Sequence, residues 1–468
     1  MKTLTVFLTM MLMLADCSPA WAEERTLEEA WALAYQHNPS LEAERARLRV
    51  LDEQVSQALS NWRPSVDANA AGGRIDQRSP QNQPVSAGSF RSLTHSYGVQ
   101  ATQPLFRGFR TLSETKAAKK QVKAGRAKLQ SAEQQLLLDV ATTFLDIIRD
   151  ETILASETEN EKVLKDKLKE TTVRARVGDL TQTDVRQAES RLARAQVDHM
   201  QTENTLTTDR TAYVRLVGEM PGALQKPALD LNLPQSVEET VELAETQNPE
   251  VVAGQYAVES AGAEIDLNKG SLLPELNVVG SSSHNWNEDS TLPGRLVSSQ
   301  VMLQLTVPLY RSGTDYSKIR AAQETSVQRS MELEETRHRA HESANNSWKA
   351  MQITTAAIEA DKTEVKAAED ALKGVKVGEK VGTRTTLDVL NAQQELLDAK
   401  INLARSEHDK ILAMMQIKDA VGDLTADSLE LPVETYDPKQ HYDDARSTWV
   451  GWERKDYTYS GQIKSDSQ

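Results

Sequence analysis

Two near-copies of one unit lie in tandem along this chain, and that constrains its fold more than any other feature. Thr26-Leu-Glu-Glu-Ala-Trp-Ala-Leu-Ala, closing on Asn38-Pro39, returns as Ser236-Val-Glu-Glu-Thr-Val-Glu-Leu-Ala, closing on Asn248-Pro249. The halves stay in step to Trp62-Arg63-Pro64 and Leu272-Leu273-Pro274. Farther on, Gln103-Pro104-Leu105-Phe106-Arg107 answers Val307-Pro308-Leu309-Tyr310-Arg311, and Val177-Gly178 with Thr183-Asp184-Val185 answers Val381-Gly382 with Leu387-Asp388-Val389. A unit of roughly 200 residues therefore occurs twice, ahead of an unmatched polar tail.

Each copy reads as helix, strand, strand, helix, helix. Thr26 and Ser236 precede an acidic residue three positions on, Glu29 and Glu239, which is the signature of a capped helix start. The first helix of each copy is expected to run to about residues 61 and 271, where Pro64 and Pro274 stop it. The period then changes to two. Val297, Ser299, Val301, Leu303, Leu305 and Val307 alternate with Ser298, Gln300, Met302, Gln304 and Thr306, as in a strand with an apolar face and a wet face. From Phe109 to Met220 and from Thr314 to Leu431 there is no proline, and Ala, Glu, Gln, Lys, Leu and Arg dominate, so these stretches are long helices. Leu137, Val140, Phe144 and Ile147 form a seam of coiled-coil type, as do Leu397, Ile401, Ala404, Ile411 and Met415. Glycine is expected to break each stretch into a hairpin, at Gly178 in the first and at Gly374, Gly378 and Gly382 in the second.

Lengths carry this further. A helix over 314–373 reaches about 90 Å, and two shorter ones end to end match it, which implies rods longer than one globular domain needs. With two strands per copy, one chain has too few strands to close a barrel, and an open edge is not tolerated in lipid. Strands of about 13 to 15 residues can cross a bilayer when tilted, so closure calls for several chains, three of them giving twelve strands around a wet lumen.

The ends set the compartment. Lys2, the apolar run Leu4 to Leu14 and Ala20-Trp21-Ala22 make residues 1–22 a secretory signal peptide, the run being short for a membrane anchor. The only cysteine, Cys17, falls inside it, so the exported chain folds without disulfides; Leu14-Ala15-Asp16-Cys17 is also loosely like a lipoprotein cleavage box. A net charge of −15 argues against nucleic acid as partner. The chain divides into the leader, a first repeat over 23–232 with strands near 65–80 and 92–104, a second over 233–432 with strands near 275–288 and 295–309, and a polar tail over 433–468.

Val381-Gly-Thr-Arg-Thr-Thr-Leu-Asp388-Val-Leu-Asn391-Ala-Gln, the two Pro-Leu-(Phe/Tyr)-Arg junctions around Pro104 and Pro308, and the twofold repeat resemble the TolC family of outer-membrane channel proteins. The resemblance runs to about Pro432 and implies a mostly α, α+β fold. In it, three protomers build a twelve-stranded barrel that continues into a helical tunnel in the periplasm, closed at its tip by the hairpins. It implies a homotrimer in outer-membrane lipid that meets a periplasmic adaptor and an inner-membrane transporter of ABC or RND type, as the passive exit duct of efflux or type I secretion, with no cofactor. It places the tips at Gly178 and Gly382 and the closing contacts at Thr183, Asp184 and Arg384. The family's tyrosine is replaced by Glu379, which is expected to repel Asp184 and to leave more of the closure to Arg384. Of the family's two aspartate rings, Asp388 keeps its charge and Asn391 is only polar; a ring of three carboxylates favours cations.

Enzyme chemistry finds no footing. No Gly-x4-Gly-Lys-Ser/Thr loop occurs, so the chain does not use ATP itself, and no nucleophile–base constellation stands out. His338 and His341 are read as surface residues rather than metal ligands, and His408 as a packed seam residue. A periplasmic coiled-coil adaptor without a pore is the competing reading, and a cell-envelope hydrolase a third. The alternation at 295–307 argues against the adaptor, which has no need of a lipid-facing band.

Overall fold

The computed structural model describes residues 25–78, 89–227, 232–286 and 294–452. The expected leader with Cys17, the expected strand ends at 79–80 and 287–288, and the expected polar tail from 453 onward lie outside the described residues.

The described elements are, in order, α1 (Leu27–His37), α2 (Pro39–Ser60), β1 (Ser65–Arg78), β2 (Ser89–Arg107), α3 (Arg110–Arg176) and α4 (Gln182–Val217). The same order then recurs in α5 (Val237–Gln247), α6 (Pro249–Gly270), β3 (Glu275–Trp286), β4 (Arg295–Thr306), α7 (Thr314–Lys380) and α8 (Thr386–Ala420), followed by the short α9 (Gln440–Ser447). Among the described residues no helix is long and apolar enough to cross a membrane.

The opening helix of each half is broken where one was expected. Pro39 and Pro249 lack the N–H that a continuous helix needs and disfavour helical geometry in the residue before them. Asn38 and Asn248 accordingly leave the helix with ψ of 120° and 127°. Each asparagine then restarts the chain: Asn38 Oδ1 accepts from Ser40 N at 2.9 Å and Asn248 Oδ1 from Glu250 N at 2.9 Å.

By contacts the chain forms two compact units. One gathers 25–44, 129–251 and 337–436 and is helical throughout, apart from one isolated β-bridge between Arg25 and Leu224. Its core holds Trp31, Leu137, Phe144, Ile147, Tyr213, Met415, Ile417 and Leu424, all at or below 2% exposure. Trp31 is anchored by its Nε1–H, which donates to Leu137 O at 2.8 Å, so the largest apolar side chain of α1 carries its own register pin.

The other unit gathers 45–128, 252–336 and 437–452. It contains one antiparallel sheet in the order β1-β2-β3-β4. Strand β2 runs to Arg107, past the expected end, because a register shift at Pro104/Phe106 lets a residue without N–H sit inside a paired strand. Strand β4 ends at Thr306, ahead of Pro308. The turns into α3 and α7 are therefore made not by the prolines but by Gly108-Phe109 and Ser312-Gly313, with φ of 61°, 60°, 52° and 79°. Pro64 and Pro274 do mark the start of strands, standing one residue ahead of β1 and β3. Gly108 and Gly270 pass so closely that a methyl group on either would strike the other's carbonyl.

Pairing register puts one apolar band across all four strands. Val66, Ala68 and Ala70 of β1 share a face with Tyr97, Val99 and Ala101 of β2, Leu276, Val278 and Gly280 of β3, and Val301, Leu303 and Leu305 of β4. The opposite face carries Asn69, Ser96, Gln100, Asn277, Ser281, Gln300 and Gln304. Val301 is 79% exposed and Leu303 67%, although a residue of either kind is ordinarily covered. At one end of the band His95 stacks on Trp286 and Tyr97 on His284, each at 4.8 Å, with Arg295 over the Trp286 ring at 5.7 Å.

The tail docks too. Within the all-helical unit Tyr436 N donates to the Tyr35 hydroxyl at 3.1 Å. In the sheet-bearing unit His441 Nδ1 lies 3.0 Å from the buried Asp52 carboxylate, and the Arg63 guanidinium sits 4.5 Å from the Trp449 ring.

Candidate functional site

Two helical hairpins of the first unit, α3–α4 and α7–α8, end in turns built alike. Gly178 at φ 84° and Gly382 at φ 80° supply the left-handed step that side chains resist. Asp179 N donates to Arg174 O at 3.0 Å and Thr383 N to Gly378 O at 2.9 Å, closing the last turn of each long helix. The glycines upstream do not end α7: it continues through Gly374 and Gly378 to Lys380. A lone glycine costs a helix only about 1 kcal/mol against alanine. Gly378 has a packing reason, since a Cβ there would lie 2.7 Å from Arg384 Cγ.

The return helices start on reciprocal caps. Thr181 Oγ1 accepts from Asp184 N at 3.3 Å, while Asp184 Oδ2 accepts from Thr181 Oγ1 at 2.7 Å and Thr181 N at 2.9 Å. The Thr181 hydroxyl, and next its backbone N–H, hold the Asp184 carboxyl below the usual carboxylate range. Thr385 and Asp388 repeat the pattern, with bonds of 2.8 and 3.0 Å to Asp388 Oδ2. Here the Thr385 N–H and then its hydroxyl lower the Asp388 carboxyl, with the Arg384 charge adding to the effect. The Thr-x-x-Asp spacing is visible in the sequence and marks Thr181 and Thr385 as the N-caps of the two return helices.

Of the expected closing residues, Thr183 and Arg384 are exposed, and Asp184 and Asp388 half-buried on their caps. Asn391 Oδ1 accepts from Arg191 Nη2 at 2.9 Å, which ties α8 to α4. Glu379 departs from the expectation of a bare carboxylate repelling Asp184. Lys167 Nζ donates to both its oxygens at 2.7 Å, and Thr386 Oγ1 donates to Oε1 at 3.0 Å. Its charge is already matched within the chain, by a lysine of α3.

Farther along the same unit lies a second polar centre. Arg149 donates to Asp150 at 2.7 Å and to Asp146 at 2.5 Å; His408, 7% exposed, has Nε2 at 3.1 Å from Asp146 and Nδ1 at 2.8 Å from Asp409. Burial, and then the hydrogen bond with Asp150, push the Asp209 carboxyl up to about 6. Beside it is a cavity of about 420 Å³ lined by Asp150, Glu157, Thr202, Thr205 and Arg405 among others. Among the described residues no group of three or more His, Cys, Asp or Glu is disposed to hold a metal ion, and His341 is engaged with Glu245 at 2.8 Å.

The family model described as outer membrane efflux protein matches residues 31–219 and 240–423, which is most of the chain. The chain belongs to the outer membrane efflux protein family. It is 31% identical over 432 residues to outer membrane efflux protein BepC of Brucella suis, covering 92% of each. It is 26% identical over 418 residues to outer membrane protein TolC of Vibrio cholerae, covering 87% of this chain and 92% of that one. The fold matches the crystal structure of the Campylobacter jejuni CmeC outer membrane channel with a TM-score of 0.78 at 14% identity, over 90% of this chain and 89% of that one. As a member of this family, the protein is an outer-membrane channel for efflux or secretion, and the pore-free adaptor is not favoured.

Proposed function

We propose that three copies of this chain form the passive exit duct of a tripartite efflux or type I secretion system, a twelve-stranded barrel in the outer membrane continued by a helical tunnel in the periplasm. The observation that carries this is the sheet, with a band of exposed Val and Leu across four strands, a polar opposite face, and free edges at β1 and β4. Lipid covers such a band, water fills the polar side, and copies of the chain satisfy the edges. The stacked His95, Tyr97, His284, Trp286 and Arg295 suit the polar–apolar boundary of a bilayer.

In this reading residues 1–22 are a leader removed on export, 23–232 and 233–432 are two structural repeats, and 433–468 are a polar tail. The tips at Gly178 and Gly382 are the periplasmic end, where an adaptor and an ABC- or RND-type inner-membrane transporter meet the duct. Thr183, Asp184, Glu379, Arg384, Asp388 and Asn391 line or brace its entrance. Opening is driven by the partners. No catalytic step is assigned to it.

Detergent-purified protein added to a planar lipid bilayer tests this. Discrete cation-preferring conductance from a heat-modifiable trimer supports it, whereas a detergent-independent monomer with no conductance overturns it.

A further inference from the structure

The two hairpins of the tip are joined to each other by contacts of very different character. Leu390 packs with Leu164, Ala188 and Ala195, an apolar contact with no directional preference. Arg191 and Asn391 share a hydrogen bond at the surface, where water can replace either partner. Lys167 and Glu379 differ from both. Their side chains are 12% and 8% exposed, the ammonium is 2.7 Å from each carboxylate oxygen, and Thr386 satisfies Oε1 as well. Arg174, 3.9 Å from Glu379, lies on the solvent side of the pair and is itself engaged with Asp179 at 2.7 Å.

A dehydrated ion pair is close to all-or-none: separating it strands two charges until water reaches both. Glu379 lies on α7 less than one helical turn before Gly382, and Lys167 on α3 well before Gly178, so the pair spans the two hairpins directly. The second hairpin cannot swing from the first while it holds. A cavity of about 340 Å³ borders the pair, lined by Lys167, Glu379, Arg174 and Lys380 among others, and it gives water a route in once the helices begin to part.

We infer that Lys167 is a positioning residue of the gate and that the Lys167–Glu379 pair is the bond that must break for the tip of each chain to open. This rests on the reading of the tips as the channel's moving end. No motif points to Lys167, and its role follows from its place opposite Glu379 alone.

The test uses the full chain as a trimer, with single-channel conductance for Lys167→Met, Glu379→Gln and the exchange Lys167→Glu/Glu379→Lys. Beside it, the distance between spin labels at Val177→Cys and Val381→Cys is measured in the exported protein, from which Cys17 has been removed with the leader. Each single replacement is expected to shift the closed–open balance by on the order of a hundredfold toward open. It should also broaden the label distances, and the exchange should restore both readings toward native. Native conductance and native distances in both single variants overturn the inference while leaving the channel intact. A lower melting temperature with unchanged conductance also overturns it, since the pair then serves only folding. If the unaltered protein forms no pore, the proposed function fails, and the label distances alone decide whether the pair holds the hairpins. Lys167→Arg keeps the charge and is expected to stay near native, which guards against a variant that merely misfolds.

Discussion

The side-chain amide of Asn38 donates to the backbone carbonyl of Leu216 at 2.9 Å, and 210 residues later Asn248 does the same to Ala420 at 3.1 Å. One residue type ends a helix, starts the next and seals the last turn of a third. Asn38→Ala leaves Leu216 O without this donor beside a core that includes Tyr213, and Asn248→Ala does so for Ala420 O. Each is expected to cost about 1–3 kcal/mol. Denaturant unfolding of the purified protein measures it, and an unmoved midpoint in both variants refutes the account.

Asp184→Ala and Arg384→Ser are expected to raise single-channel conductance, the first by removing the cap that seats the start of α4, the second by freeing the segment between Gly378 and Asp388. Unchanged conductance in both removes these residues from the gate.

The two cap carboxylates set a pH dependence of definite sign. Both are lowered in the folded chain, so their contribution is present above the unfolded carboxylate range and is lost as pH falls through the folded value. Tip loosening, read as rising conductance, is expected below about pH 4. Thr181→Val and Thr385→Val, which remove the hydroxyl, move the onset upward. An onset that ignores both substitutions assigns the effect elsewhere.

Asp419 behaves in the opposite sense. Burial, then Glu250 and Asp139, push its carboxyl up to about 6. A raised acid stabilises the fold below the unfolded carboxylate range and progressively less as pH climbs to the folded value. Asp419→Asn is therefore expected to gain up to about 2 kcal/mol at pH 8 and little near pH 4. Melting curves at the two pH values decide this, and an equal change at both counts against it.

On the sheet, Leu303→Lys places a charge on the apolar band, at a cost of about 2–4 kcal/mol if it sits at the bilayer midplane. Gln304→Lys, the next residue on the other face, is expected to leave assembly intact and to shift ion selectivity away from cations. Equal assembly defects in both would contradict the assignment of faces.

Much of this was legible in the chain itself, and the reasons it stopped are physical. Strands were readable because Val301, Leu303 and Leu305 alternate with polar neighbours, and hairpins because Gly178 and Gly382 stand in proline-free stretches. The helix break at Asn38-Pro39 was printed in the repeat, but a 3.6-residue pattern continues across it and masked the missing N–H. Gly374 and Gly378 read as breakers because propensity is local, while the reason Gly378 is tolerated is the Arg384 side chain folded back over it. Lys167 could not be read at all. A lysine in a long polar helix looks the same whether it faces water or a carboxylate 212 residues away.

Strands β2 and β3 are zipped together inside one polypeptide, which in the proposed ring leaves a single kind of seam, β4 against the next copy's β1. Alternating strand directions make that seam antiparallel as well, so the same joint can be laid around a ring without mismatch. Any closed wall assembled from this panel then has a strand count divisible by four, and its bore can change only in coarse steps, by gaining or losing a whole subunit.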